Sequence, residues 1–211
     1  MKTNLIKLIC GLALLGVAIT VPAQSLLSTL NSTPGNEWSI GADALSMAQQ
    51  FTTGSQSENI GSVSVDIAYA QDGSDFTVSF YSDVSGQLGS LVSNGLLSGL
   101  GTPTSDAVNL YGASGLTLDA NTTYWLVFEN PVATYVYIRN TDSGGILSAN
   151  SSAGWTLGDT DYKIFNGGSY SSYPNAVPLF SIDVAPVPEP ATLALAGLGG
   201  LGLLLFRRRK N

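Results

Sequence analysis

Carboxylates, aromatic rings and one proline-flanked glutamate are the groups in this 211-residue chain with chemistry to offer. Asp72-Gly73-Ser74-Asp75 and Gly158-Asp159-Thr160-Asp161 each put two carboxylates on a turn. Neither follows the EF-hand spacing, and neither supplies the roughly six to eight oxygens that calcium takes, so no metal site and no cofactor is expected. A pair of Asp or Glu at the right separation is also what a glycosidase needs. No recognisable catalytic motif surrounds any of the acids, so a carboxylate-based hydrolase is a remote alternative and the chain is read as a non-enzyme. The chain has no His, which excludes a Ser-His-Asp or Cys-His nucleophilic centre and the usual zinc ligand sets.

Aromatic residues offer the other route to a ligand. Tyr135 and Tyr137 alternate with Val136 and Ile138, so one pair faces the core and the other faces outward. Trp155, Tyr162, Tyr170 and Tyr173 lie in or near Gly/Ser-rich stretches. Exposed Tyr and Trp present a flat apolar face with a polar edge and can stack on sugar rings. Core packing is the more frequent use of such residues.

The two ends of the chain carry the proline-flanked glutamate and most of the positive charge. Lys2 and Lys7 precede the apolar stretch Leu8 to Val21, and Val21-Pro22-Ala23 presents small residues before Gln24. This is the layout of a secretory signal peptide, with cleavage expected between Ala23 and Gln24. Cys10, the only cysteine, sits just after Lys7, before an apolar region has accumulated, and reads as a small apolar residue rather than an acylation site. At the other end Val187-Pro188-Glu189-Pro190 is followed by the uncharged run Ala191 to Phe206 and then by Arg207, Arg208, Arg209 and Lys210. The prolines oppose helix upstream of Ala191, and the basic cluster resists translocation, so the body lies outside the membrane and the tail is held in it. A helix over 191–206 spans about 24 Å against a hydrocarbon core of about 30 Å. Its four glycines weaken it further.

This three-part tail resembles the PEP-CTERM sorting signal of Gram-negative bacteria. The resemblance implies recognition by an exosortase, a membrane-embedded processing enzyme, and delivery of the body to the cell surface or its exopolysaccharide matrix. The expected organisation is a signal peptide over 1–23, an ectodomain over 24–185 and a sorting signal over 186–211, with a transmembrane helix at 191–206 and a basic stop at 207–210.

Between the two ends, 14 of the 15 acids meet only Arg139 and Lys163, a net charge of −12 on the body against −7 for the whole chain. Nucleic acid and anionic membrane both require basic patches, so neither is an expected partner of the body. With no Cys or His in it, stability must come from packing. Its apolar residues alternate: Val63, Val65, Ile67 and Tyr69 fall on one face, and after Gln71-Asp72-Gly73-Ser74 so do Phe76, Val78 and Phe80, which reads as a hairpin with a Gly-containing turn. Further strands are expected at Met47 to Thr52, Ala107 to Tyr111, Thr123 to Glu129, Thr134 to Arg139, Tyr162 to Phe165 and Leu179 to Val184. Thr123 to Glu129 fills both faces with aromatic and β-branched residues and reads as a central strand, while Tyr81 to Gly89 reads as a strand ending in a polar loop. No stretch of the body repeats at helical spacing. The expected fold is therefore all-β, a single antiparallel β-sandwich of jelly-roll type, flanked by the N-terminal signal helix and the C-terminal transmembrane helix.

Gln50-Phe51-Thr52-Thr53-Gly54, the strand Ser62 to Ala68, Phe80 to Gly89 and Leu116 to Phe128 follow one another in an order that resembles the choice-of-anchor ectodomains, the R type in particular. That resemblance implies an exported surface domain and supplies no catalytic residue. The sequence thus points to a structural or adhesive protein of the envelope or extracellular matrix, with a glycan-binding module as the alternative.

Overall fold

The computed structural model describes residues 24–41, 46–97, 102–141, 154–163, 171–172 and 177–186. Ala23–Ala185 form one compact unit, and every strand among the described residues lies within it. In chain order these are β1 (Ser25–Ser28), β2 (Pro34–Gly41), β3 (Ser46–Thr52), β4 (Glu58–Ala70), β5 (Thr77–Val84), β6 (Gln87–Leu97), β7 (Ala107–Leu118), β8 (Thr123–Glu129), β9 (Tyr135–Thr141), β10 (Thr156–Lys163), β11 (Ser171–Ser172) and β12 (Phe180–Val184). No helix occurs among the described residues, and all strand pairings are antiparallel. The expected signal and transmembrane helices, the sorting motif Val187 to Pro190 and the basic stop Arg207 to Lys210 lie outside the described residues.

The strands make two six-stranded sheets. In the first, β4 has β7 along one edge from Glu58 to Ile67. Its other edge is shared: β12 pairs with Ile60 to Val65, and β9 with Ile67 to Ala70. The sheet therefore forks, with β1 flanking β12 and β2 flanking β9. Leu179 stands at the fork, donating its N–H to Arg139 O at 2.9 Å while its carbonyl accepts from Asp66 N at 3.0 Å. The second sheet runs β11-β10-β3-β8-β5-β6, with β8 central as its composition requires.

Inner faces of both sheets fill one core. Val63, Val65 and Ile67 of β4, Tyr111 and Leu116 of β7, and Phe180 and Ile182 of β12 meet Phe51 of β3, Val78 and Phe80 of β5, and Leu126 and Phe128 of β8. Phe128 packs on Phe180 across the sheets at 6.2 Å between ring centroids, and Phe76 on Tyr111 at 5.6 Å. Each such side chain contributes about 1.5–3 kcal/mol by leaving water. Trp155 belongs to this core: its ring stacks on Phe51 at 5.6 Å and 6°.

Several expectations are corrected. Residues 71–76 do not close a hairpin, because β4 and β5 lie in different sheets. Alternation and a turn signal report a reversal of the chain but not which sheet receives it. The connection is instead pinned to the β8–β9 corner, where Asp75 N donates to Asn130 Oδ1 at 3.0 Å and Ser74 Oγ lies 2.9 Å from Thr134 Oγ1. Tyr81 to Gly89 does not end in a loop. Ser85 (φ 56°) and Gly86 (φ 79°) form a two-residue hairpin turn straight into β6, the left-handed pair that matches strand twist. Tyr69 leaves the core face: a register shift between Ile67 and Tyr69 turns it outward and Ala70 inward. β7 continues to Leu118, β9 to Thr141, and β10 begins at Thr156, well before the expected Tyr162.

Candidate functional site

The outward face of the first sheet gathers the exposed aromatic residues at the β9 branch of the fork. Val136 and Ile138 of β9 are buried, which sends Tyr135, Tyr137 and Arg139 to the outside. Tyr69, carried there by the β4 bulge, stands opposite Tyr137 with ring centroids 6.0 Å apart and planes at 61°. Bulges of this kind re-aim a side chain at the cost of one unpaired residue. Tyr69 is 49% exposed and Tyr135 38%. On β2, Ser39 pairs in register with Tyr137, and Glu37 with Arg139.

Arg139 is held from two sides. Its Nη1 donates to Asp66 Oδ1 of β4 at 2.9 Å, and its Nη2 to Asp106 Oδ1 in the turn before β7. The bond to Asp106 raises the guanidinium pKa above its ordinary value; partial burial opposes this and Asp66 adds to it. Asp66 is mostly covered while the Asp106 side chain is 81% exposed. The result is a fixed guanidinium between carboxylates, beside three outward tyrosines.

A second cluster occupies the outward face of the other sheet. Trp125 of β8 points away from the core yet is only 1% exposed, packed with Ala48, Val127, Tyr81 and Leu88. Its indole N–H donates to Asp83 Oδ1 at 2.8 Å, Gln50 Nε2 donates to the same oxygen at 2.9 Å, and Gly86 N donates to Oδ2 at 2.9 Å. Burial pushes the Asp83 carboxyl pKa up, but the donors from Gly86, Trp125 and Gln50 together outweigh it and hold it below the usual carboxylate range. Tyr81 is raised, chiefly by burial and then by the Glu129 charge. With the indole covered, this cluster fixes the β5–β6 hairpin onto β8 and offers no ring face to a ligand.

Other candidate residues are dispersed. Asp72 and Asp75 lie within the β4–β5 connection, and no group of three or more His, Cys, Asp or Glu converges among the described residues. Asp159 and Asp161 lie within β10 and not on the expected turn, with Asp159 exposed. Trp155 is interior; Tyr170, Tyr173 and the side chain of Tyr162 lie outside what is described. Gln24, the expected first residue of the mature chain, immediately precedes β1, and its carbonyl accepts from Val184 N at 3.0 Å. Ala23 is outside the described residues. Tyr69, Asp66 and Asp106 were not legible as site residues: Tyr69 reads as a core residue until the bulge is known, and the two acids are 40 positions apart with Arg139 a further 33 along.

Residues 186–210 match the PEP-CTERM protein-sorting motif. That motif, which contains Val187 to Pro190 and Arg207 to Lys210, marks an exported protein sorted by an exosortase and processed at the membrane. No curated protein matches the chain.

Proposed function

We propose that the body is a non-enzymatic, jelly-roll ectodomain of the choice-of-anchor type, placed by its sorting signal at the cell surface or in the exopolysaccharide matrix of a Gram-negative bacterium, where it has a structural or adhesive role. The observation that carries the adhesive role is the outward group of Tyr69, Tyr135 and Tyr137 beside Arg139, because large exposed aromatic residues on a rigid sheet supply contact area at low conformational cost. The jelly-roll reading is supported by strand order: β1-β12-β4-β7 faces β3-β8-β5-β6, two Greek keys with β2 and β9 to β11 as additions. Pro188, Glu189 and Pro190 form an extended recognition element, and Arg207 to Lys210 fix orientation.

The test compares wild type with a Pro188/Glu189/Pro190→Ala variant in a strain that has an exosortase. Wild type is expected in processed form at the surface, and the variant unprocessed and retained in the membrane. Identical size and location of the two would remove the sorting role of the tripeptide. A surface protein whose retention is indifferent to stripping of the exopolysaccharide would refute the matrix role.

A further inference from the structure

We infer that the outward face at the β9 branch is a binding surface for a neutral polysaccharide, with Tyr69, Tyr135 and Tyr137 as stacking platforms and Arg139 and Asp106 as the polar groups that orient the sugar. The inference rests on the adhesive reading above and names the class of polymer. The geometry suits a linear chain. Tyr135, Tyr137 and Arg139 are at alternate positions of one strand, a row about 13 Å long at about 3.3 Å per residue. Tyr69 widens the row on the β4 side. These rings are outward although Val136, Ile138 and Ala70 beside them are buried, so the fold had apolar positions available and does not use the tyrosines for its core.

Charge selects a neutral polymer over an acidic one. Arg139 is the only cation of the patch among the described residues, and it faces Asp66, Asp106 and, in register across β2, Glu37. A carboxylate or sulfate on a sugar would approach a guanidinium whose charge two bonded acids already offset, with Glu37 a third acid nearby. It would also approach a body of net charge −12. Sugar hydroxyls meet no such barrier. The guanidinium has five N–H donors, of which the two carboxylates take two, and the exposed Asp106 carboxylate accepts from hydroxyls. Paired donors and acceptors beside an aromatic face match the hydroxyl edge and C–H face of an uncharged pyranose.

Affinity gel electrophoresis of the full chain in mild detergent tests this, with dextran, hydroxyethyl cellulose, mannan or galactan in the gel as neutral polymers and alginate or pectate as acidic ones. At least one neutral polymer is expected to retard the protein, with little change on raising NaCl from about 0.05 to 0.5 M, where screening would abolish attraction between charges. Tyr137→Ala and Tyr69→Ala should each weaken retardation about tenfold in apparent Kd. Tyr137→Phe keeps the ring and should stay within about twofold, and Leu96→Ala on the opposite sheet should have no effect. Salt-sensitive retardation by alginate or pectate alone would overturn the neutral-polymer inference and leave the adhesive reading standing. Neutral retardation that survives both alanine variants would overturn this surface as its site. Failure of every polymer to retard the wild type would overturn both.

Discussion

Gln49 is the residue whose replacement most directly tests how the second sheet is held together. It lies on the inner side of β3 between Met47 and Phe51, fully buried in an apolar setting. β10 pairs with β3 through a register shift between Leu157 and Thr160, which leaves backbone carbonyls without ladder partners. Gln49 Nε2 donates to Gly158 O at 3.0 Å, Asp159 O at 3.2 Å and Gln50 O at 2.9 Å, and Gln49 Oε1 accepts from Thr160 Oγ1 at 2.6 Å. The two hydrogens of the amide satisfy two of those carbonyls at a time. Gln49→Leu has similar volume and opens no large cavity, so its effect isolates the polar loss. Three groups lose their partner, at about 1 kcal/mol each, for a total of about 3 kcal/mol. With a urea slope of about 2 kcal/mol/M for a domain of this size, the midpoint of unfolding should fall by about 1.5 M. Thr160→Val, which removes one bond, should cost about 1 kcal/mol, and the double variant should fall short of the sum because the two share a contact. Equilibrium urea unfolding of residues 24–185 followed by tryptophan fluorescence gives these values. A shift under about 0.3 M for Gln49→Leu with unchanged slope would refute the account, showing that the bulge carbonyls find other partners.

Asp83→Asn should lower the urea midpoint at pH 7. Because the folded carboxyl lies below its ordinary range, the charged form stabilises above about pH 4 and this advantage disappears as pH falls through the folded value, so wild type and variant should converge in acid. Gly41 has φ 111°, and a Cβ there would overlap Thr134 O and the Asn130 side chain. Gly41→Ala should therefore cost about 3 kcal/mol in the same unfolding assay, from strain and overpacking together. N-terminal sequencing of the exported protein should begin at Gln24, and Cys10→Ala should leave export unchanged; a mature chain that starts with an acylated Cys10 would contradict both.

Strands that obey one simple rule were visible before the fold was known. Thr123 to Glu129 matches β8 because a central strand needs apolar residues on both faces, and Val63, Val65 and Ile67 alternate because β4 has one buried face. Where the backbone departs from regular pairing, the pattern disappears. β6 carries its outward leucines at Leu88, Leu91 and Leu96, a spacing of three and five set by register shifts against β5, and its Gly89, Asn94 and Gly95 resemble a loop. β2 opens with Pro34-Gly35-Asn36, the composition of a turn, and its first half is exposed; it survives as a strand because it lies at a sheet edge. The tyrosine surface was half legible: Tyr135 and Tyr137 follow from alternation, whereas Tyr69 depends on a bulge that no local composition announces. Arg139 joins Asp66 and Asp106 through pairings among β4, β7 and β9, a matter of topology beyond the reach of spacing.

The pairing of β12 decides how the body would carry a mechanical load. At its far end Val184 pairs with Ile60 of β4 and donates its N–H to the carbonyl of Gln24 just before β1, whereas Tyr69, with Tyr137 of β9 opposite it, stands nine residues further along β4, about 30 Å away. A pull applied between a polymer on the tyrosines and the chain leaving Ala185 is thus directed along the strands. Ladder bonds run across the strands, so those joining β12 to β4 and to β1 share such a pull in shear and must yield together. The same bonds loaded from the side would peel apart one pair at a time.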